Sequence, residues 1–226
     1  MGGGGPSSGL GRAGPVGYYR ISMGRSKRVA DPGDIIEAAY DLIEREGYDN
    51  FSARRLAQDL GVSHMTLYNY LAFGEILDGV IERGFEELVW AIRPRIAAEV
   101  EEPRRPCALF RVIADELVEY AKRRPRLYRF VFQSGFGPTT GDPRIRRLYW
   151  SGVDLIGGLL DPVRQEELRR DGFLFLVLVN GLILAFLSGR HDMDEGACRR
   201  NIERGYALIL GGFCGDLTTP GTGSPR

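Results

Sequence analysis

An all-α fold is the expectation for this 226-residue chain, and three observations carry it. Apolar residues recur three and four apart along most of the sequence from Ile35 onward, the spacing of helices that bury one face. No alternating pattern of strand type interrupts them at any length. Between Ser52 and Tyr70 two short helical patterns meet at Gly61, the layout of a helix-turn-helix. The length allows one large or two small domains with a sizeable core, and no internal repeat is present.

Residues 1–30 hold glycines, prolines and serines without periodicity, so disorder is expected there and in the 215–226 tail. Arg20, Arg25, Lys27 and Arg28 form either a basic arm suited to the minor groove or a solvated tail. The first helix starts at Asp31, whose carboxylate can cap it. Pro32 suits its first turn, and Asp34 and Glu37 favour the positive end of its dipole. Ile35, Ala38, Ala39, Leu42 and Ile43 make its buried stripe, and Gly47 ends it. In the second helix Leu56, Ala57 and Leu60 share one apolar face. Gly61 supplies a left-handed backbone position that a side chain would adopt only at a cost. Val62 fills the angle between the two helices, and Ser63 caps the next by accepting from exposed amides.

In that third helix Leu67 and Leu71 face inward, which leaves His64, Met65, Tyr68 and Asn69 outward. A polar-aromatic outer face on a short capped helix suits the reading of base edges in a major groove. A longer helix is expected from Glu75 through Ile76, Leu77, Val80, Ile81, Leu88 and Val89 toward Pro94, with a break at Pro103–Pro106. Further helices are expected near 107–123, 125–135, 143–160, 163–188 and 194–213. The 15-residue apolar run from Phe173 to Leu187 is broken only by Asn180 and Gly181. It is shorter than the ~20 residues a membrane span needs, so a buried helix and no membrane partner are expected. A helix apolar all round must be covered, and one chain offers too few helices to cover it. Gly181, Ala185, Gly189, Gly205, Leu208 and Gly212 provide small faces for close helix approach.

Charge is less suggestive. Lys plus Arg equals Asp plus Glu at 30 each, and between Met23 and Glu75 six basic residues face nine acidic ones. That balance runs against the usual basic footprint of a nucleic-acid binder. Most of the acids sit on the first helix, behind the reading helix, while the bases gather in the N-terminal arm and at the start of the second helix. Three cysteines (Cys107, Cys198, Cys214) lack paired spacing, and only His64 and His191 could join them, so no metal is expected. Reduced, buried thiols are the first reading and a redox sensor the lesser one. No catalytic constellation, phosphate loop or cofactor motif appears, so neither an enzyme nor a cofactor is expected. No secretory signal is evident, which makes a cytoplasmic protein the expectation.

The ordered set Ile35-Ile36-Glu37-Ala38-Ala39, Glu46-Gly47-Tyr48, Leu56-Ala57, Gly61-Val62-Ser63, Thr66-Leu67-Tyr68 and Glu75-Ile76-Leu77 spans about 45 residues. It resembles the N-terminal domain of the tetracycline-repressor (TetR) family of transcriptional regulators. The resemblance implies a helix-turn-helix DNA-binding domain over 31–80 and a helical ligand-binding and dimerisation domain over 81–214. It implies a homodimer through the last two long helices on a palindromic double-stranded DNA operator, with a small-molecule effector. Met23 would be a natural start for such a chain, which leaves Met1 to Ser22 as an extension, a misassigned start or an artefact.

By the same resemblance His64, Met65, Thr66, Tyr68, Asn69 and Tyr70 occupy DNA-facing positions, beside Ser63, while Ser52 and Arg54 suit the flanking backbone. Asn69 and His64 bond base edges or phosphates, and Met65 packs on a thymine methyl. Thr66, Tyr68 and Tyr70 hand hydroxyls to phosphates, and packing in the three-helix core is the other reading of Tyr70. Family members usually carry lysine where Gly74 stands and often threonine where Phe51 stands, two departures that touch phosphate contacts. In the regulatory half Tyr128, Phe132, Phe136, Tyr149, Trp150 and Phe173 offer an apolar wall, with Gln133 and Asn180 to orient a ligand. Simple core filling is the competing reading for each. A repressor released by an apolar effector is the first reading, and an activator stays open. The alternative is a dimerising interaction protein that has lost sequence-specific DNA binding.

Overall fold

The computed structural model describes residues 31–99, 108–133, 162–189 and 192–212. Among them every regular element is helical. Helix α1 (Pro32–Glu46) starts as the sequence dictates: Asp31 Oδ1 accepts from the Asp34 N–H at 3.0 Å, and Pro32 stands in the first turn. It ends at Gly47, whose φ of 84° is left-handed territory. Ile35, Ala39, Leu42 and Ile43 are buried, and so is Tyr40, which lies outside the predicted stripe. A 3₁₀ turn (Tyr48–Asn50) leads to α2 (Ala53–Leu60), capped by Ser52 Oγ accepting from the Arg55 N–H at 3.2 Å.

The turn after α2 is built by hydrogen bonds. Gly61 sits at φ 69°, ψ 30°, its N–H donates to the Gln58 carbonyl at 3.2 Å, and the Val62 N–H reaches back to the Ala57 carbonyl at 2.9 Å. These two bonds satisfy carbonyls that the helix end would otherwise leave open. Helix α3 is short, His64–Tyr68. The long α4 (Phe73–Glu99) starts two residues before the expected Glu75. The reason is a cap: Glu75 Oε2 accepts from the Ala72 N–H at 2.7 Å, so Glu75 belongs to the first turn and not to the first position. Pro94 lies inside α4, so the backbone bond that proline removes does not end the helix there.

Helices α5 (Ala108–Arg123), α6 (Pro125–Gln133), α7 (Pro162–Leu187) and α8 (Glu195–Ile209) complete the described fold. Four of the five downstream helices expected from the sequence thus appear with ends close to those predicted, and the one near 143–160 lies outside the described residues. Two apolar cores form. The N-terminal core joins α1, α2, α3 and the first half of α4 to Leu127, Phe130 and Val131 of α6. The second joins Leu88 and Ile92 of α4 to α5, Tyr128 of α6, α7 and α8. Helices α4 and α6 therefore belong to both cores. The N-terminal core also extends past residue 80 to Ile81 and Phe85.

Helix α7 contains a stretch, Gln165–Leu187, long and apolar enough by length and composition to cross a membrane, with mean hydropathy 1.9. One of its sides packs into the second core through Leu168, Phe175, Leu176, Val179 and Ile183. The other side shows Phe173, Leu174 and Val177 at 43–51% exposure. Two glycines bring its neighbours close. A Cβ on Gly172 would lie 2.5 Å from Phe110 Cζ, and one on Gly205 of α8 would collide with Leu178 Cδ2. Gly205 thus serves packing between α7 and α8 of the same chain.

Candidate nucleic-acid interface

Helix α3 owes its position to two contacts. Ser63 Oγ accepts from the Thr66 N–H at 3.1 Å, and Leu67 is fully buried in the N-terminal core. With those two fixed, helical geometry turns the rest outward. Met65 is 62% exposed, Tyr68 47% and Tyr70 41%. His64 and Asn69 are exposed as well. The His64 and Tyr68 rings meet edge to face, 6.3 Å between centroids, so one turn of helix presents a joined aromatic surface. Tyr70 lies beyond the end of α3, and its exposure is that of a surface residue. Asn69 is the C-cap of α3.

Thr66 is placed differently from its neighbours. It is half-buried, and its hydroxyl lies 2.8 Å from Ser63 Oγ. The pair shares a proton donor between cap and helix, so Thr66 offers less to a ligand than Tyr68 does. Ser52 accepts from the Arg55 N–H and keeps its own hydroxyl proton to donate. Arg54 is exposed and lines a surface notch of about 320 Å³ with Ala57, Gln58, Val62 and His64. The notch joins the start of α2 to the start of α3.

Much of the acidity of this region is taken up by ion pairs and caps. Arg55 grips Glu46 in two-pronged fashion (Nη2–Oε1 2.5 Å, Nε–Oε2 3.0 Å), and Arg45 pairs with Asp59 at 2.6 Å. The Arg55 guanidinium holds the Glu46 carboxyl below its usual range. Glu37 pairs with Arg83 at 2.6 Å, and Glu44 accepts the Leu127 N–H of α6 at 2.9 Å. Arg55 is accordingly occupied, and Arg54 is the exposed arginine at the start of α2.

Gly74 is exposed, and a Cβ placed on it would meet nothing within 4 Å. Beside it, Phe73 stacks on Phe51 with 5.7 Å between centroids. Of the two sequence departures near this face, Phe51 is thus tied to Phe73, the neighbour of Gly74, and not to Gly74 itself. Phe51 is a core residue whose ring needs Phe73, and Ser52 has taken over the capping hydroxyl.

In the other core Tyr128 is fully buried and donates its hydroxyl to Asn180 Oδ1 at 3.0 Å. Phe132 stacks on Tyr128 at 4.6 Å and meets Phe85 at 5.4 Å. Two of the expected wall residues, Tyr128 and Phe132 of α6, thus meet, and Tyr128 bonds Asn180 of α7, one of the two residues expected to orient a ligand. Phe173 is 43% exposed on α7. Gln133 closes α6, while its side chain, Phe136, Tyr149 and Trp150 lie outside the described residues, as do Cys107, His191, Cys214 and the basic arm. Cys198 is buried, and burial pushes its thiol up to about 11. Among the described residues no three His, Cys, Asp or Glu converge as metal ligands would.

The sequence reading missed a buried polar group at the junction of the two cores. Tyr40 donates to Glu87 Oε2 at 2.6 Å, and Tyr120 Oη lies 3.3 Å from Tyr40 Oη. Burial holds both phenols well above their ordinary range, Tyr120 at about 12.

Residues 35–71 match the family described as bacterial regulatory proteins, tetR family. Over 50 residues the chain is 40% identical to the HTH-type transcriptional repressor DrrR1 of Streptomyces coeruleorubidus. That match covers 22% of this chain and 18% of the length of that protein. The fold is similar to that of Thermus thermophilus FadR, a TetR-family transcriptional repressor solved in complex with lauroyl-CoA. There the TM-score is 0.55 at 21% identity, over 86% of this chain and 98% of the other. A TetR-family regulator from Streptomyces coelicolor gives a TM-score of 0.55 at 16% identity, over 82% and 85% of the two chains.

Proposed function

We propose that this chain, whose residues 35–71 match the tetR family of bacterial regulatory proteins, is a ligand-responsive, DNA-binding transcriptional regulator. One observation carries the reading: a capped helix-turn-helix that buries Leu67 and leaves His64, Met65, Tyr68 and Asn69 on one open face. That face enters the major groove. Tyr68, Tyr70, Ser52 and Arg54 engage the backbone, and Asn69, His64 and Met65 read base edges.

The protein works as a homodimer. Leu174 and Val177 of α7 with Leu208 of α8 are exposed in the single chain, and a second copy buries them. Two reading helices about 34–36 Å apart then meet successive major grooves of an inverted repeat. The effector is small and apolar, held near Tyr128, Phe132 and Asn180, and its binding releases the operator. The coupling required is on the order of 1–3 kcal/mol.

The test is selection of sites from random duplex DNA by the purified protein, at about 150 mM salt. An inverted repeat should emerge, and replacing Tyr68 and Asn69 together by Ala should abolish it while the dimer and its melting temperature persist. A pool that stays random would favour the second reading, a dimerising interaction protein, to which the bare Gly74 gives support.

A further inference from the structure

Two cores that share α4 and α6 need something more directional than apolar packing to fix their angle, because hydrophobic burial is indifferent to small rotations. Among the described residues, the hydrogen-bonded group of Tyr40, Glu87 and Tyr120 at their junction has that directionality. Tyr40 comes from α1, Glu87 from α4 and Tyr120 from α5. Tyr40 has a single hydroxyl proton and gives it to Glu87 at 2.6 Å, so at 3.3 Å Tyr120 is the donor to Tyr40.

The surroundings hold this chain in place. The guanidiniums of Arg83 and Arg124 stand over the Tyr40 ring at 5.1 and 5.4 Å, and both also approach the Glu87 carboxylate, at 3.9 and 4.0 Å. Gly84, one turn before Glu87, is bare where the group passes. A Cβ there would lie 3.1 Å from Tyr120 Oη and 3.2 Å from Val131 Cγ2. On its far side the Tyr120 ring lies 6.3 Å from that of Tyr128, the residue bonded to Asn180. Burying two phenols and most of a carboxylate is costly unless every bond is kept. Phe at positions 40 and 120 would fill the same space without that demand.

We propose that Tyr40, Glu87 and Tyr120 are positioning residues for operator binding. Their hydrogen-bonded chain sets the angle of the reading domain on the regulatory half, and so the half-site separation that the dimer accepts. The proposal rests on the DNA-binding reading above. It adds that the selectivity for spacing resides in a group more than one helix away from the DNA.

The experiment uses the full-length dimer and the operator obtained by selection, in a set whose half-site spacing is varied in single base-pair steps. Affinities are referred to active protein by stoichiometric titration, so that partial unfolding does not count. Tyr40→Phe and Tyr120→Phe should each reduce the preference for the best spacing over its neighbours by about fivefold or more, the low end of coupling between distant sites. Glu87→Gln keeps an acceptor for Tyr40 and should retain the native profile. If Tyr40→Phe loses its helical signal, Tyr120→Phe decides alone, since it leaves the Tyr40–Glu87 bond in place. An unchanged spacing profile in Tyr120→Phe overturns the proposal, whatever its melting temperature, because a merely structural role would alter stability and not spacing. A wild-type protein that selects no operator removes the DNA-binding reading itself, and this proposal with it.

Discussion

Gly74→Lys restores a charge where the chain has bare backbone, and the structure allows its effect to be worked out. The position is exposed in the first turn of α4, a Cβ meets nothing within 4 Å, and its φ is not among the positive ones. Steric cost is therefore absent. Leaving glycine in a helix gains up to about 0.7 kcal/mol, and a cation near a helix N-terminus loses about 0.3–1 kcal/mol. The two offset each other, so the melting temperature should hardly move. On DNA the outcome differs. Each added phosphate contact steepens the dependence of log affinity on log salt by about 0.9, hence by about 1.8 for a dimer with two lysines. Between about 50 and 200 mM salt the variant should lose about twelvefold more affinity than the parent. Fluorescence anisotropy with labelled operator across that range measures the slope. Gly74→Gln is the control, similar in reach and without charge. Equal slopes for the lysine and glutamine variants would refute the placement of Gly74 beside a phosphate, and with it the orientation of α3 in the groove.

Gly172→Ala should destabilise the protein, because its Cβ would sit 2.5 Å from Cζ of the fully buried Phe110. Overpacking of that kind costs about 1–3 kcal/mol, more than the helix preference of alanine returns, and a lower urea midpoint would show it. Val177→Asp adds a charge to the exposed face of α7 and should turn the proposed dimer into a folded monomer in sedimentation velocity. An unchanged dimer would place the interface elsewhere. Alkaline pH should weaken the fold. Cys198 is pushed from 9.0 up to about 11 and Tyr120 from 10.0 up to about 12, both by burial. The native state thus keeps protons that the unfolded chain gives up. The stability is whole below about pH 9 and is lost progressively as pH rises through about 11 and 12. Urea midpoints taken at rising pH should fall over that interval, and less steeply in Tyr120→Phe.

What the sequence disclosed and what it withheld divide along a physical line. Asp31, Ser52, Gly61 and Ser63 act on backbone groups within three to five residues of themselves. Their roles were legible because a cap is a local event whose partners are fixed by the helix itself. The same holds for the inward phase of Leu56, Leu60 and Leu67 and for the outward phase of Met65 and Tyr68. Phe51 looked like a lost hydroxyl because its partner Phe73 stands beyond two helices, and a ring stack across that distance depends on crossing geometry. Phe173 sits in an apolar run that composition alone consigns to the core. Its exposure follows from which side of α7 meets α5, α6 and α8. Gly205 is small for the sake of Leu178, a neighbour on another helix. Tyr40 is the sharpest case. A tyrosine beside an apolar stripe reads as core or surface by phase, and neither reading says where its hydroxyl goes. Its partners lie 47 and 80 residues away. A buried hydroxyl without a local partner obliges the chain to supply one from elsewhere in the fold, so such tyrosines are where sequence reading should search for contacts between domains.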